Sequence, residues 1–217
     1  MGGIVLLSLR IALEAVLLSL PFAVAIAWVL ARVRFRGRLL LDVLVHLPLV
    51  LPPIVTGYAL LSLFGAHGPL AGLGLAFTST GAAVAAAVVA FPLLVRPIRQ
   101  AFEATDPALM DAAMSLGATP WRAFWTIALP LAAPGVLAGA LLAFGRSLGE
   151  FGATITFVGN IAGETRTLPL ALWSAADVPG HESEATAFAV ASAVLALVTL
   201  VLGELLARRS QRWAFRP

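Results

Sequence analysis

An all-α, polytopic membrane protein of about five transmembrane helices is the fold class this sequence predicts, on three observations. Of its 217 residues, 60% are hydrophobic and only 12% are charged, against about 45–50% apolar and about 25% charged in a soluble domain. Five apolar stretches approach the roughly 20 residues that a helix needs to cross the hydrocarbon core. The arginines gather on alternate connections between those stretches, and basic loops stay on the cytoplasmic side of a membrane. The mean hydropathy of +0.98 also excludes intrinsic disorder.

The first span runs from about Ile4 to Ala31 and is followed at once by Arg32, Arg34, Arg36 and Arg38. Its apolar run is too long for a cleavable signal and no basic residue precedes it, so it reads as a permanent span. The second covers about Leu39 to Phe64 and contains Pro48, Pro52 and Pro53. Proline frees backbone carbonyls, which a membrane tolerates where helices pack or water enters. This kink serves either packing or a path. The third span, about Gly81 to Ile98, is followed by Arg99 and Arg122, with Arg96 just inside its end. The fourth runs from about Leu131 to Val158. The fifth runs from about Thr186 to Ala207 and is followed by Arg208, Arg209, Arg212 and Arg216. Leu168 to Trp173 is apolar but too short to span. The connections after spans two and four carry only Arg166. The bias predicts an outside N-terminus and a cytoplasmic C-terminus. It also accounts for the net charge of +3 as topology, without nucleic-acid affinity. The chain reads as a single transmembrane domain, residues 1–217.

Two absences narrow the chemistry. There is no cysteine, which removes thiol nucleophiles and thiolate metal sites. There is no lysine either, because all 14 basic residues are arginine. An ordinary phosphate-binding loop needs its Lys, so the chain cannot hold ATP in that way. His46, His67 and His181 have no metal-ligand spacing, so no metal site is expected. Arg10 and Glu14, four apart, suit a surface pair. Glu182 and Glu184 read as a solvated outer face. No set of residues forms a catalytic constellation, and an enzyme is not expected.

The segment from about 101 to 130 is too polar to span. Asp106-Pro107 is a helix start, with Asp as N-cap and Pro in the first turn. Leu109, Ala112, Ala113 and Leu116 recur at helical spacing on one face. Gly117 suits the left-handed position that closes a helix. Thr119-Pro120 repeats the start signal for a short helix over Trp121 to Thr126, and Pro130 marks re-entry into the membrane. From the pattern alone, this pair either lies on lipid headgroups or docks on a partner.

Asp111-Ala112-Ala113, Gly117 and Ile127-Ala128-Leu129-Pro130 resemble the "EAA–Gly–I-x-L-P" loop of permeases from binding-protein-dependent ABC importers, with Asp in place of the leading Glu. The resemblance implies a type I ABC importer permease fold in which this loop is a coupling helix seated in a groove of a cytoplasmic ATPase. Leu109, Asp111, Ala112 and Ala113 would then meet the groove, Gly117 would turn the chain, and Trp121 and Arg122 would flank the contact. ATP and Mg would belong to the partner ATPase, with no cofactor in this chain.

The fourth span holds Arg146 and Glu150, four apart and therefore expected on one helical face. Each charge costs roughly 2.5–3.5 kcal/mol at a helix centre, so the two must pair, face water, or both. They either lock helices together or line a translocation path. GVLAG (135–139) and GRSLG (145–149) are small-xxx-small spacings, which allow close helix approach. Ser147, Gly149, Gly152 and Thr154 are candidates for the same path or pairing face, with Thr156 as a further hydroxyl. Arg146 to Asn160, RSLGEFGATITFVGN, resembles permeases of the sulfate and molybdate importer group. His46 to Tyr58 and Gly163 to Pro169 (GETRTLP) resemble its molybdate branch. That resemblance implies a homodimer, two ATPase subunits and a periplasmic oxyanion-binding protein, in a bacterial inner membrane. Tungstate, sulfate or thiosulfate could replace molybdate. Rival readings are a secondary anion transporter or channel without ATPase, and a structural subunit without a conducting path.

Overall fold

The computed structural model describes residues 1–214, with residues 204 and 206–214 described as backbone only; Arg216 of the last arginine group lies outside the described residues. All regular structure among the described residues is helical: α1 (Gly2–Arg32), α2 (Arg38–Val50), α3 (Pro53–Phe64), α4 (Ser79–Ala104), α5 (Pro107–Ser115), α6 (Pro120–Ala123), α7 (Leu129–Leu148), α8 (Gly152–Phe157), α9 (Leu168–Ala176) and α10 (Glu182–Ala214). Four helical stretches are long and apolar enough to cross a membrane, and five if α2 and α3 count as one span.

The second span is not one helix. Leu51 and Pro52 leave the helical region, and α2 and α3 meet at 112°. Pro52 and Pro53 supply no N–H and disfavour helix at the residue before each, so the chain breaks where they stand. The pair still reaches from end to end. Val45 of α2 packs in a cluster with Leu30, Ile98 and Phe102 near the arginine-rich end, and Leu60 of α3 packs with Ile11, Ala82 and Phe157 at the opposite end.

The fourth span also departs from expectation, at both ends. Helix begins at Pro120, not beyond Pro130, and runs without interruption to Leu148 through a single π-helical stretch, Phe124–Ala128. The short helix expected over Trp121 to Thr126 is therefore the foot of α7. At the other end the helix stops at Leu148, and α8 restarts at Gly152. Leu168 to Trp173 lies in α9, nine residues long and about 13 Å at 1.5 Å per residue, too short to span. The fifth helix is longer than read, starting at Glu182.

At the centre α4 packs against both α1 and α7. Its inner face is alanine-rich: Ala82, Ala83, Ala85, Ala86 and Ala90 are all buried. Glycine lets α7 come close, because a Cβ at Gly139 would fall 2.6 Å from the carbonyl oxygen of Leu94, and one at Gly135 would fall 2.6 Å from that of Pro97. The GVLAG spacing thus forms the crossing expected of it. The GRSLG spacing does not, since a Cβ at Gly145 meets only Thr199 Cγ2 at 3.9 Å. Gly139→Leu is expected to destabilise the permease by about 3 kcal/mol through overpacking against backbone. Gly145→Leu should leave the isolated chain near wild type. Thermal unfolding in detergent compares the two directly.

Outward-facing side chains are mostly apolar. Leu39, Val50, Tyr58, Leu197 and Leu200 are all more than 60% exposed, which suits contact with lipid tails or a second helical surface.

Candidate functional site

Two places carry the residues that the sequence singles out. The first is the loop joining α4 to α7. Asp106 accepts a hydrogen bond from the Ala108 N–H at 2.9 Å and starts α5. At the far end of α5, Ala118 N donates to Ala113 O and Gly117 N to Met114 O, both at 3.0 Å. Those two bonds are the Schellman closure, and they need the left-handed φ of +91° that Gly117 adopts. Thr119 then caps α6 by accepting from Arg122 N at 3.3 Å.

The base of this loop is anchored. Trp28 of α1 meets Phe102 and Phe124 edge-on, at ring separations of 5.1 and 5.0 Å. Arg32 donates to the Phe102 carbonyl at 2.8 Å and to that of Thr105, where α4 ends. Arg99 of α4 bonds Glu103 at 2.8 Å and Asp42 of α2 at 2.9 Å, which ties α2 to the same base. Sequence reasoning read these arginines as topology alone. Arg32 gives no signal in sequence, because its acceptors are backbone carbonyls some 70 residues away.

The tip, by contrast, is uncovered. No residue of α5 is buried. Leu109 is 47% exposed, Leu116 90% and Trp121 69%. Asp111, Ala112 and Arg122 are exposed as well, and Ala113 is half-buried. An anchored helix thus ends in an exposed, largely apolar tip.

The second place is the break between α7 and α8. Glu150 lies there in non-helical backbone, so it does not share a helical face with Arg146 as the spacing suggested. The pair forms nonetheless, with Arg146 Nη1 2.7 Å from Glu150 Oε2. Glu150 Oε1 accepts from the Ala153 N–H at 2.8 Å and closes the first turn of α8. Glu150 is buried, whereas the Arg146 side chain is 31% exposed. The carboxylate is thus the fixed partner and the guanidinium reaches outward.

Around this break α3 and α8 touch backbone to backbone. A Cβ at Gly57 would fall 2.6 Å from Ala153 O, and one at Gly152 would fall 2.9 Å from Pro53 Cβ. Gly149 has no close neighbour outside its own turn. Ser147 and Thr154 are buried, and Thr156 spends its hydroxyl on the Gly152 carbonyl. Ser147 Oγ and Thr56 Oγ1 are buried without a hydrogen-bond partner among the described residues, and Glu150 Oε2 has the Arg146 ion pair. Buried polar atoms are rarely left unpartnered, and these two hydroxyls flank one break. Thr56 was missed in the sequence, where a hydroxyl beside Gly57 has no distinguishing pattern.

Residues 19–212 match the binding-protein-dependent transport system inner membrane component family. The chain belongs to that family. It is 52% identical over 219 residues to the molybdenum transport system permease protein ModB of Escherichia coli K12, covering 98% of this chain and 96% of that protein. It is 50% identical over 213 residues to ModB of Haemophilus influenzae, covering 95% and 93%. A bacterial alginate ABC transporter, solved in complex with its alginate pentasaccharide-bound periplasmic protein, superposes with a TM-score of 0.75 at 18% identity, over 95% of this chain and 78% of that one. As a member of this family, the chain is a multi-pass inner-membrane permease subunit of an ABC importer and performs no catalysis itself. No cluster of metal-ligating residues occurs among the described residues.

Proposed function

We propose that this chain imports molybdate by alternating access, as a homodimer driven by two cytoplasmic ATPase subunits and supplied by a periplasmic oxyanion-binding protein. The single observation that carries the coupling half is the anchored, Schellman-closed α5 whose apolar tip is uncovered. Leu109, Asp111, Ala112, Ala113, Gly117, Trp121 and Arg122 are the residues assigned to the ATPase contact. ATP and Mg²⁺ sit in the partner, and ATP binding draws the two α5 helices together. The orientation follows the arginines, with the loop and the C-terminus in the cytoplasm. Exposed apolar faces on α2, α3 and α10 supply surface for a second copy, and cyclic dimers are the commonest closed assembly.

The break at Glu150 is assigned to the path. Arg146 offers a cation whose charge Glu150 already offsets, and Ser147, Thr154 and Thr56 offer hydroxyls around it. Such a lining can replace part of an oxyanion's hydration without holding it as a bare arginine cluster would. The substrate rests on the close likeness to the molybdenum permeases. Tungstate has the same charge and shape, so the oxyanion retained by the cognate binding protein decides between them.

The test is reconstitution of permease, ATPase and binding protein in vesicles. ATP-dependent molybdate uptake is expected, with none when the ATPase is left out. Uptake by the permease alone on an ion gradient would replace this reading with a secondary transporter.

A further inference from the structure

Resting on the import reading above, we infer that Arg166 is the residue that receives the oxyanion from the binding protein at the outer mouth. Arg166 lies at the end of the molecule opposite α5. Two residues on, the Leu168 N–H donates to Ser8 Oγ at 2.9 Å, which places this segment beside the first turns of α1.

The side chain is held in position. Arg166 Nε donates to Asn160 Oδ1 at 2.9 Å, Asn160 Nδ2 donates to Ser174 Oγ at 2.6 Å, and Ser174 Oγ donates to Leu170 O at 3.0 Å. The loop beneath is equally constrained. Ile161 O accepts from the N–H groups of Thr165 and Arg166, and the fully buried Thr165 hydroxyl accepts from Ile161 N at 2.8 Å. One nitrogen of the guanidinium is thus spent on orientation. The two terminal nitrogens make no hydrogen bond or ion pair among the described residues.

Charge makes this arginine stand out. The outer end carries Glu14, Glu164, Asp177, Glu182 and Glu184, and its arginines are Arg10 and Arg166. Arg10 is already paired with Glu14 at 2.7 Å. Arg166 is half-buried and has no carboxylate within ion-pair distance among the described residues. A dianion approaching this end meets a largely acidic surface in which Arg166 holds two unpaired terminal nitrogens among the described residues. A guanidinium held in advance loses little freedom on binding and presents two parallel donors to an oxyanion. Residues 152–157, helix α8, separate Arg166 from Arg146 in the chain. One arginine is free to take the anion, and the next has its charge offset so that the anion moves on.

The test uses the full reconstituted transporter and measures molybdate imported per ATP hydrolysed, alongside the stimulation of ATPase by loaded binding protein. Arg166→Gln is expected to lower imported anion per ATP about tenfold, the equivalent of one lost charge-assisted contact. ATPase stimulation should stay within about twofold, because docking is intact. Arg166→Lys should recover part of the uptake, and Asn160→Ala, which frees the side chain without removing it, should fall between. Unchanged uptake per ATP in Arg166→Gln overturns the inference. So does a parallel loss of uptake and ATPase stimulation, which would make Arg166 a contact for the binding protein. If wild-type vesicles import no oxyanion at all, the import reading itself fails.

Discussion

Glu150→Ala is expected to destabilise the permease by about 3 kcal/mol and to abolish uptake. The substitution removes two contacts at once. The Ala153 N–H loses its acceptor at the start of α8, and Arg146 loses its counter-ion. Breaking one side of a buried ion pair costs about 3–5 kcal/mol, because the other charge is left uncompensated. The Arg146 side chain is 31% exposed, so solvent screening places the loss at the lower bound, about 3 kcal/mol. Glu150→Gln separates the two roles. Its amide oxygen still accepts from Ala153, so the start of α8 is kept while the cost of the unpaired arginine remains. The arginine is now unbalanced, so an anion should leave more slowly and turnover should drop. The double variant Arg146→Gln/Glu150→Gln should be near neutral in stability, since removing both charges together often is. Thermal unfolding in detergent, read as a double-mutant cycle, supplies the coupling energy. A Glu150→Ala variant within about 0.5 kcal/mol of wild type, the range of an ordinary surface change, would show that the pair does not hold α7 to α8.

The spans were legible in the sequence because hydropathy acts over whole segments. The caps were legible because their signals are local: Asp106-Pro107, Gly117 and Thr119-Pro120 all take the geometry their residue types demand. The breaks were less so. Pro52-Pro53 marked the bend between α2 and α3, but its 112° angle depends on how α3 seats against α8 through Gly57 and Gly152. The interruption at Gly149–Phe151 has no proline at all. Glu150 takes the place of helical continuity there, bonding Ala153 ahead of it and Arg146 behind it. The same i, i+4 spacing would look identical in an unbroken helix, so periodicity could not distinguish the two. Pro130 misled for the opposite reason. Inside a helix that begins at Pro120, its missing N–H costs little once the π-helical stretch just before it has shifted the hydrogen-bond register, and the helix runs through it. Arg32 and Arg99 were countable in sequence as charges, but their roles as a staple and a tie arise only from distant partners.

Leu116→Asp should uncouple the permease from its ATPase while leaving the membrane domain folded. Leu116 is 90% exposed and sits at the C-terminus of α5, so in the isolated chain the change should fall within about 0.5 kcal/mol. In the complex the same position would bury a leucine, worth about 1.5–3 kcal/mol, and an aspartate there adds the cost of an unpaired charge. Together these predict at least about a hundredfold loss of ATPase affinity, the equivalent of about 2.8 kcal/mol. Co-purification of the two subunits and ATPase stimulation by the loaded binding protein should both be lost. Gly117→Val provides the matching backbone experiment. It leaves every contact side chain in place but opposes the φ of +91°, where a β-branched residue is strained. The Schellman bonds should then open, and α5 should lose the fixed angle at which it meets its partner. The two variants damage the docking surface by different routes, one through its chemistry and one through its geometry. If α5 merely rested on lipid headgroups, Leu116→Asp would alter neither co-purification nor uptake, and Gly117→Val would be equally silent. Loss in both, with membrane insertion unchanged, requires a protein partner that reads the shape and the apolar character of this tip together.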